Sequence, residues 1–265
     1  MKRARPILLA VLVVCLAGAL ALWSPWSRVS LERATVVLPA ASGAVAPVGK
    51  SDVLAIIYSG DGGWADLDKQ LGDAFSARGI PVLGVNTFKY YWRNRSADES
   101  AAQLDALMTK YVAQWGKRRV WLVGFSFGAD VLPTIVSRLS PANRARVTQL
   151  VLLSASKNLN FEIELEGYMS SQGWWKEHIK TFLQRVNPVR HYDARPPLLA
   201  LQGKPPVVCY YGLDERDDSV CAEPGLPAWI NVHAKPGGHH FDGGYQPLAA
   251  QMIDELPAAA ADPAP

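Results

Sequence analysis

Long runs of like charge are missing from this chain. Its 265 residues carry 27 Lys+Arg against 24 Asp+Glu, a formal net charge of +3 with histidine neutral. Without a basic stretch, that balance offers no electrostatic footprint for a nucleic-acid partner. Cysteine is scarce: there are three, and Cys15 belongs to the N-terminal leader. The other two, Cys209 and Cys221, have no histidine at metal-ligand spacing, which makes a poor zinc site. No motif asks for a cofactor, and no glycine-rich stretch continues into the GK[ST] of a phosphate-binding loop. Charged residues make up 19% and hydrophobic ones 49%, a composition that excludes a disordered chain and suffices for a buried core. The length fits one large α/β domain better than two.

One long apolar run is present. Residues 7–22 have no polar side chain except the Cys15 thiol, and they follow the basic Met1-Lys-Arg-Ala-Arg-Pro6. A basic start, an apolar stretch and small residues near Ala19-Leu20-Ala21 are the layout of a secretory signal. As a helix the run would reach about 25 Å, short of a bilayer core of roughly 30 Å. A cleaved signal peptide over residues 1–22 therefore ranks ahead of an uncleaved membrane anchor. Val13-Val14 precede Cys15, where a lipoprotein cleavage site would want a small residue. Either route exports the body of the chain. In an oxidising compartment Cys209 and Cys221 are expected to pair, closing a loop worth about 3 kcal/mol.

Residues 23–50 read as a linker with one possible strand at 34–38. From residue 53 onward, apolar segments alternate with helical patterns. Strands are expected at 53–58, 80–85, 120–123, 147–153, 207–211 and 229–232, and helices at 67–78, 97–114, after Ala129, and at 245–256. Apolar strands alternating with helices predict a mostly parallel sheet covered on both faces. Residues 51–257 form that domain, and 258–265 a frayed tail. The stretch 158–195 breaks the rhythm, being far longer than an ordinary connection. It carries Phe161, Tyr168, Trp174, Trp175, Ile179 and Phe182, and reads either as an excursion with its own small core or as a lid, one that could face lipid.

The chemistry centres on Gly124-Phe125-Ser126-Phe127-Gly128, which fits G-x-S-x-G between a strand and a helix. This is the nucleophile elbow of α/β-hydrolases. A tight strand-to-helix turn strains the serine, and glycines at the flanking positions make room for neighbouring chain. The hydroxyl then sits at a helix N-terminus whose dipole favours a developing anion. Such a serine needs a base, and the base an orienting acid, in the order Ser, Asp or Glu, His. The segment Gly212-Leu-Asp-Glu-Arg-Asp-Asp218 supplies four acids, Asp214, Glu215, Asp217 and Asp218: Asp217 ranks first, Glu215 second, and at least two of the four are expected to be solvated loop residues. Pro236-Gly-Gly-His-His-Phe-Asp-Gly-Gly244 supplies bases. Hydrolases of this kind carry the base two residues before a Phe, which selects His239, leaving His240 to steady the loop or line the pocket. His178, His191 and His233 read as structural. An oxyanion needs two backbone donors: the amide of Phe127, and that of Asp61 or Gly62 in the loop Ser59-Gly-Asp-Gly-Gly-Trp64.

Four stretches in order, Ser59-Gly-Asp-Gly-Gly-Trp64, Gly124-Phe-Ser-Phe-Gly-Ala-Asp-Val-Leu-Pro133, the segment 211–221 and Gly237-Gly-His-His-Phe-Asp-Gly243, resemble the VirJ/AcvB bacterial virulence family over residues 50–255. The resemblance implies a periplasmic α/β-hydrolase acting on aminoacyl-phosphatidylglycerol, whose headgroup carries lysine or alanine as an ester. It also implies a membrane surface as partner, and links to type IV secretion proteins. Longer members resemble two copies of this domain, and this chain has one. The substrate's ammonium would want a carboxylate, with Asp214 or Glu162, Glu164 and Glu166 as candidates. Two other readings stand beside this one: a general esterase or thioesterase, and a non-catalytic accessory protein on a hydrolase fold.

Overall fold

The computed structural model describes residues 12–18, 28–163 and 189–259. Seven strands form one sheet: β1 (Thr35–Leu38), β2 (Val53–Tyr58), β3 (Val82–Val85), β4 (Arg119–Phe125), β5 (Val147–Leu153), β8 (Val207–Gly212) and β9 (Ile230–Lys235). Their spatial order is β1-β3-β2-β4-β5-β8-β9. Every pair is parallel except β1 with β3. All six residues of β2 are buried, as expected of a strand covered on both faces. The two-residue period of the strand divides them. Leu54, Ile56 and Tyr58 pack into one core cluster, and Val53, Ala55 and Ile57 into the other.

Helices supply the rest of each cluster. On one face lie α3 (Ala97–Gln114) and α4 (Phe127–Ser137); on the other lie α1 (Asp66–Ala77) and α7 (Tyr245–Glu255). Ser96 caps α3 by accepting the amide of Glu99 at 3.0 Å, the serine half of a capping-box sequence. Three short helices were not foreseen from the sequence: α2 (Thr87–Tyr90), α5 (Pro141–Arg146) and α6 (Arg195–Leu199). Each is six residues or fewer, too short to show a helical period. The seven strands of the sheet and the four longer helices fall within a few residues of expectation.

The connectivity fixes where a site can form. The chain steps outward from β2 to β3, returns to the far side of β2 as β4, then proceeds outward through β5, β8 and β9. The reversal lies between β2 and β4, and open α/β sheets bind ligands at the carboxyl ends of strands at such a switch point. The glycine loop 59–64 leaves β2 there, and Ser126 leaves β4.

The long stretch 158–195 opens and closes on a small ladder. β6 (Asn158–Leu159) pairs antiparallel with β7 (Tyr192–Asp193). Phe161 and Ile163 are buried in the core. The lid reading, with Glu164, Glu166, Tyr168, Trp174, Trp175, His178, Ile179 and Phe182, lies outside the described residues. So do most of the leader and of the tail, and among the described residues no helix is long and apolar enough to cross a membrane. Cys209 in β8 is disulfide-bonded to Cys221, closing the loop that contains the acid candidates.

Candidate functional site

Ser126 stands where β4 passes into α4, with φ 51° and ψ −120°. Residues other than glycine rarely hold that conformation, and a position of this kind costs about 1–3 kcal/mol. Two glycines permit it. A Cβ on Gly128 would lie 2.3 Å from the Tyr58 carbonyl oxygen, and one on Gly124 would lie 2.6 Å from the backbone of Ala129. The amide of Ser126 donates to the Leu153 carbonyl at 2.9 Å. The residue is partly exposed, at the first turn of a helix whose other early residues are buried.

The base and acid meet across the ends of β8 and β9. His239 Nδ1 lies 2.6 Å from Glu215 Oε2. The carboxylate is the more buried partner, 19% exposed against 42% for the imidazole. A carboxylate on Nδ1 fixes the tautomer and leaves Nε2 to take a proton. The imidazole ring centre is 5.1 Å from that of Phe125, the residue before Ser126. His240 packs on the same ring at 5.3 Å, and its Nδ1 lies 3.3 Å from the Tyr245 hydroxyl. His239 is thus the histidine joined to an acid, and His240 lines the loop.

Of the two acids ranked from sequence, the structure brings Glu215 to His239 and not Asp217. Asp217 is exposed and its carboxylate has no hydrogen-bond partner among the described residues, while its carbonyl accepts from Lys157 Nζ. The reason is local geometry. Directly after β8, Leu213–Glu215 forms a single 3-10 turn, which the Asp214 amide ties to the Gly237 carbonyl at 3.1 Å. Glu215 therefore faces the histidine loop, and two residues later the chain has turned to solvent. Asp214 and Asp218 are exposed too.

Facing the serine is the loop after β2. A Cβ placed on Gly60 would come within 3.5 Å of Ser126 Cβ. The amides of Asp61, Gly62 and Phe127 donate to no acceptor among the described residues, so all three are free for an oxyanion. Asp68, 2% exposed, sits on α1 just after the glycine loop; burial pushes its carboxyl well above the usual range, and its Oδ1 has no hydrogen-bond partner among the described residues. Sequence reading missed this residue, because an acid in the first turn of a helix ordinarily reads as a solvated one.

Asp130, one turn beyond the nucleophile, was quoted in the motif but given no role. Its oxygens each accept from Ser156, at 2.7 Å from the amide and 2.7 Å from the hydroxyl. Burial pushes its carboxyl up to about 7, and the charges of Asp61 and Glu215 add to the rise. The Ser156 hydroxyl also lies 2.8 Å from the Asn158 carbonyl. One hydroxyl hydrogen cannot serve both acceptors fully. A proton on Asp130 satisfies the group, because the acid then donates to Ser156 and Ser156 to Asn158. A carboxyl raised from 3.8 to about 7 contributes stability below pH 4 that is lost as the pH rises through 7. Asp130→Asn, which stays neutral, is expected to gain about 1–3 kcal/mol over the parent at pH 8, allowing for partial solvent access, and nothing at pH 4. Urea midpoints at the two pH values check this.

His233 is structural as expected: it lies 3.0 Å from Glu255 and stacks on Tyr210 at 4.8 Å. His191 is exposed.

The parallel sheet with its switch point, the strained serine after β4 and the histidine loop before the last helix define an α/β-hydrolase fold. Similar solved structures agree. An α/β serine hydrolase homologue from Coxiella burnetii is 15% identical, with 84% of this chain and 91% of that one covered and a TM-score of 0.50. Est1E from Butyrivibrio proteoclasticus, with ferulic acid bound, is 10% identical over 83% and 92%, with a TM-score of 0.52. The Pyrococcus furiosus esterase Pf2001 is 13% identical over 83% and 87%, with a TM-score of 0.51. At such identities the likeness is one of fold. No curated protein matches the chain. The bacterial virulence protein (VirJ) family model matches residues 52–260, and the chain belongs to that family.

Proposed function

We propose that this chain is an exported serine hydrolase that removes the aminoacyl group from aminoacyl-phosphatidylglycerol, with Ser126 as nucleophile, His239 as base and Glu215 as orienting acid. The observation that carries the reading is the His239–Glu215 contact at 2.6 Å, beside a serine held in a strained turn. Ser126 Oγ attacks the ester carbonyl carbon and its proton passes to His239 Nε2. The amides of Phe127 and of Asp61 or Gly62 hold the oxyanion. Collapse breaks the ester bond, and His239 returns the proton to the departing glycerol hydroxyl of the lipid. Water, deprotonated by the same histidine, then releases the amino acid from Ser126.

An aminoacyl ester carries an ammonium next to its carbonyl. The charges of Asp61 and Glu215 both act on the buried Asp130, and the negative potential those two carboxylates create favours a cationic acyl group. The disulfide supports export to an oxidising compartment, the periplasm on this reading. There a membrane surface presents the substrate, and secretion-system proteins are possible neighbours. A non-catalytic role draws on one observation: among the described residues no hydrogen bond joins Ser126 Oγ to His239. Catalytic contacts of this kind often tighten only with substrate bound.

The test supplies purified full-length protein with lysyl- or alanyl-phosphatidylglycerol in mixed micelles, and measures released amino acid by mass spectrometry. Release from either lipid is expected. Hydrolysis of soluble aryl esters alone would point to a general esterase, and no turnover with no fluorophosphonate adduct would point to a binding protein.

A further inference from the structure

Five residues leaving β5 touch every loop that carries a group of the proposed triad. The Leu153 carbonyl accepts the Ser126 amide at 2.9 Å, and the Ser154 amide donates to the Tyr210 carbonyl in β8 at 2.8 Å. The Ser154 hydroxyl donates to the His239 carbonyl at 3.0 Å. The Ala155 carbonyl accepts the Val220 amide at 3.1 Å and the Ser219 hydroxyl at 3.2 Å. Ser156 donates its amide to Asp130 on the nucleophile helix and hydrogen-bonds the same carboxyl through its hydroxyl. The Lys157 amide donates to the Asp218 carbonyl at 3.0 Å.

Ser154 is the unusual member. It is 3% exposed and holds φ 50°, a conformation that disfavours every residue but glycine. Glycine would make the same turn without strain, and of the polar groups here it would lack only the hydroxyl, together with the one carbon that carries it. That hydroxyl reaches the backbone of the base itself. The loop it reaches is strained as well, with Phe241 at φ 50° and Asp242 at φ 51°, so a contact from outside has a conformation to hold.

We propose that Ser154 is a positioning residue: its hydroxyl sets where His239 stands over the sheet, while the contacts of Ser156 to Asp130 and of Ala155 to Val220 register the same segment on the nucleophile helix and the acid loop. The proposal rests on reading Ser126, His239 and Glu215 as the catalytic groups. It differs from a packing role in what it moves. A displaced imidazole slows proton transfer from Ser126 and leaves substrate binding alone.

Ser154→Gly tests this, because it keeps the turn and removes the hydroxyl. Full-length protein is compared with the parent by hydrolysis of an aryl ester and by the rate of fluorophosphonate labelling. Both rates are taken at a temperature where circular dichroism shows each protein folded. The expected result is a kcat lower by about 10- to 100-fold, a nearly unchanged KM, a labelling rate lower by a similar factor, and a melting temperature at or above that of the parent. A kcat and labelling rate within about twofold of the parent would overturn the proposal, as would a fall confined to KM. Failure of the parent itself to label would instead overturn the reading of the triad.

Discussion

Ser126→Ala is expected to lower ester hydrolysis by about 10⁴- to 10⁶-fold and to abolish fluorophosphonate labelling, without loss of fold. The size follows from the mechanism. With the hydroxyl gone there is no acyl-enzyme, and what remains is the rate the oxyanion donors can give to direct attack by water. The fold survives because alanine fills less space than serine at the same strained φ of 51°, and the hydroxyl has no hydrogen-bond partner among the described residues to lose. Ser126→Gly separates the two quantities further. Glycine takes this backbone conformation at no steric cost, so it is expected to be as inactive as alanine yet more stable than the parent by about 1 kcal/mol. Denaturant midpoints and initial rates on the three proteins test both halves. An active Ser126→Ala protein would remove the nucleophile from the account. A Ser126→Gly protein much less stable than the parent would remove the strain.

Most strain of this sort gathers at one end of the molecule. Of the six residues other than glycine that hold positive φ among the described residues, Ser126, Ser154, Phe241 and Asp242 follow β4, β5 and β9 at their carboxyl ends, Asp66 begins α1 after the β2 loop, and Gln202 alone precedes a strand, β8. Conformations of this kind persist where the surrounding structure over-determines them. Here the sheet does so: β2, β4 and β5 are buried almost throughout, and hydrogen bonds from 153–157 reach the turn after β4 and the loops after β8 and β9. A rigid sheet edge under strained loops holds reacting groups in place before substrate arrives, which is what electrostatic stabilisation of a transition state requires.

What the sequence disclosed and what it withheld divide along the same line. Buried parallel strands announce themselves as apolar runs, so β2, at Val53–Tyr58, and β5, at Val147–Leu153, fall on the residues expected. The elbow was legible because its glycines answer a local steric demand made within a few residues of Ser126. The disulfide could be anticipated from compartment and count. The acid that meets the histidine was not legible, and on sequence Asp217 ranks ahead of it: Glu215 and Asp217 are two positions apart, and which of them faces His239 depends on how one 3-10 turn meets a loop more than twenty residues downstream. Ser154 and Ser156 were invisible for a related reason. A serine after a strand has no signature, and its role comes from partners at positions 130 and 239 that only the folded chain brings near. Asp130 stood in the quoted motif, yet nothing near it in sequence indicated that Ser156 would hold it.

Because the acid is the residue geometry reassigns, exchanging carboxylates for amides is the sharpest contrast available. Glu215→Gln is expected to lower kcat by about 10²- to 10⁴-fold, and Asp217→Asn to leave it within about twofold. Glutamine keeps the size of glutamate but removes the charge that stabilises the imidazolium formed during attack, and its amide can present a donor to Nδ1 and so favour the wrong tautomer. Asp217 offers no such leverage, since its side chain is exposed and a carboxylate in water is well screened from the site. Stability separates the pair less than activity does: the contact between Glu215 and His239 is partly open to solvent, at 19% and 42% exposure, and ion pairs of that kind contribute about 1 kcal/mol or less. A large loss of kcat with little change in the denaturant midpoint would therefore mark Glu215 as acting on the base. If Asp217→Asn were the damaging change and Glu215→Gln the silent one, the loop after β8 would have to rearrange before catalysis, carrying the second carboxylate to His239 in place of the first.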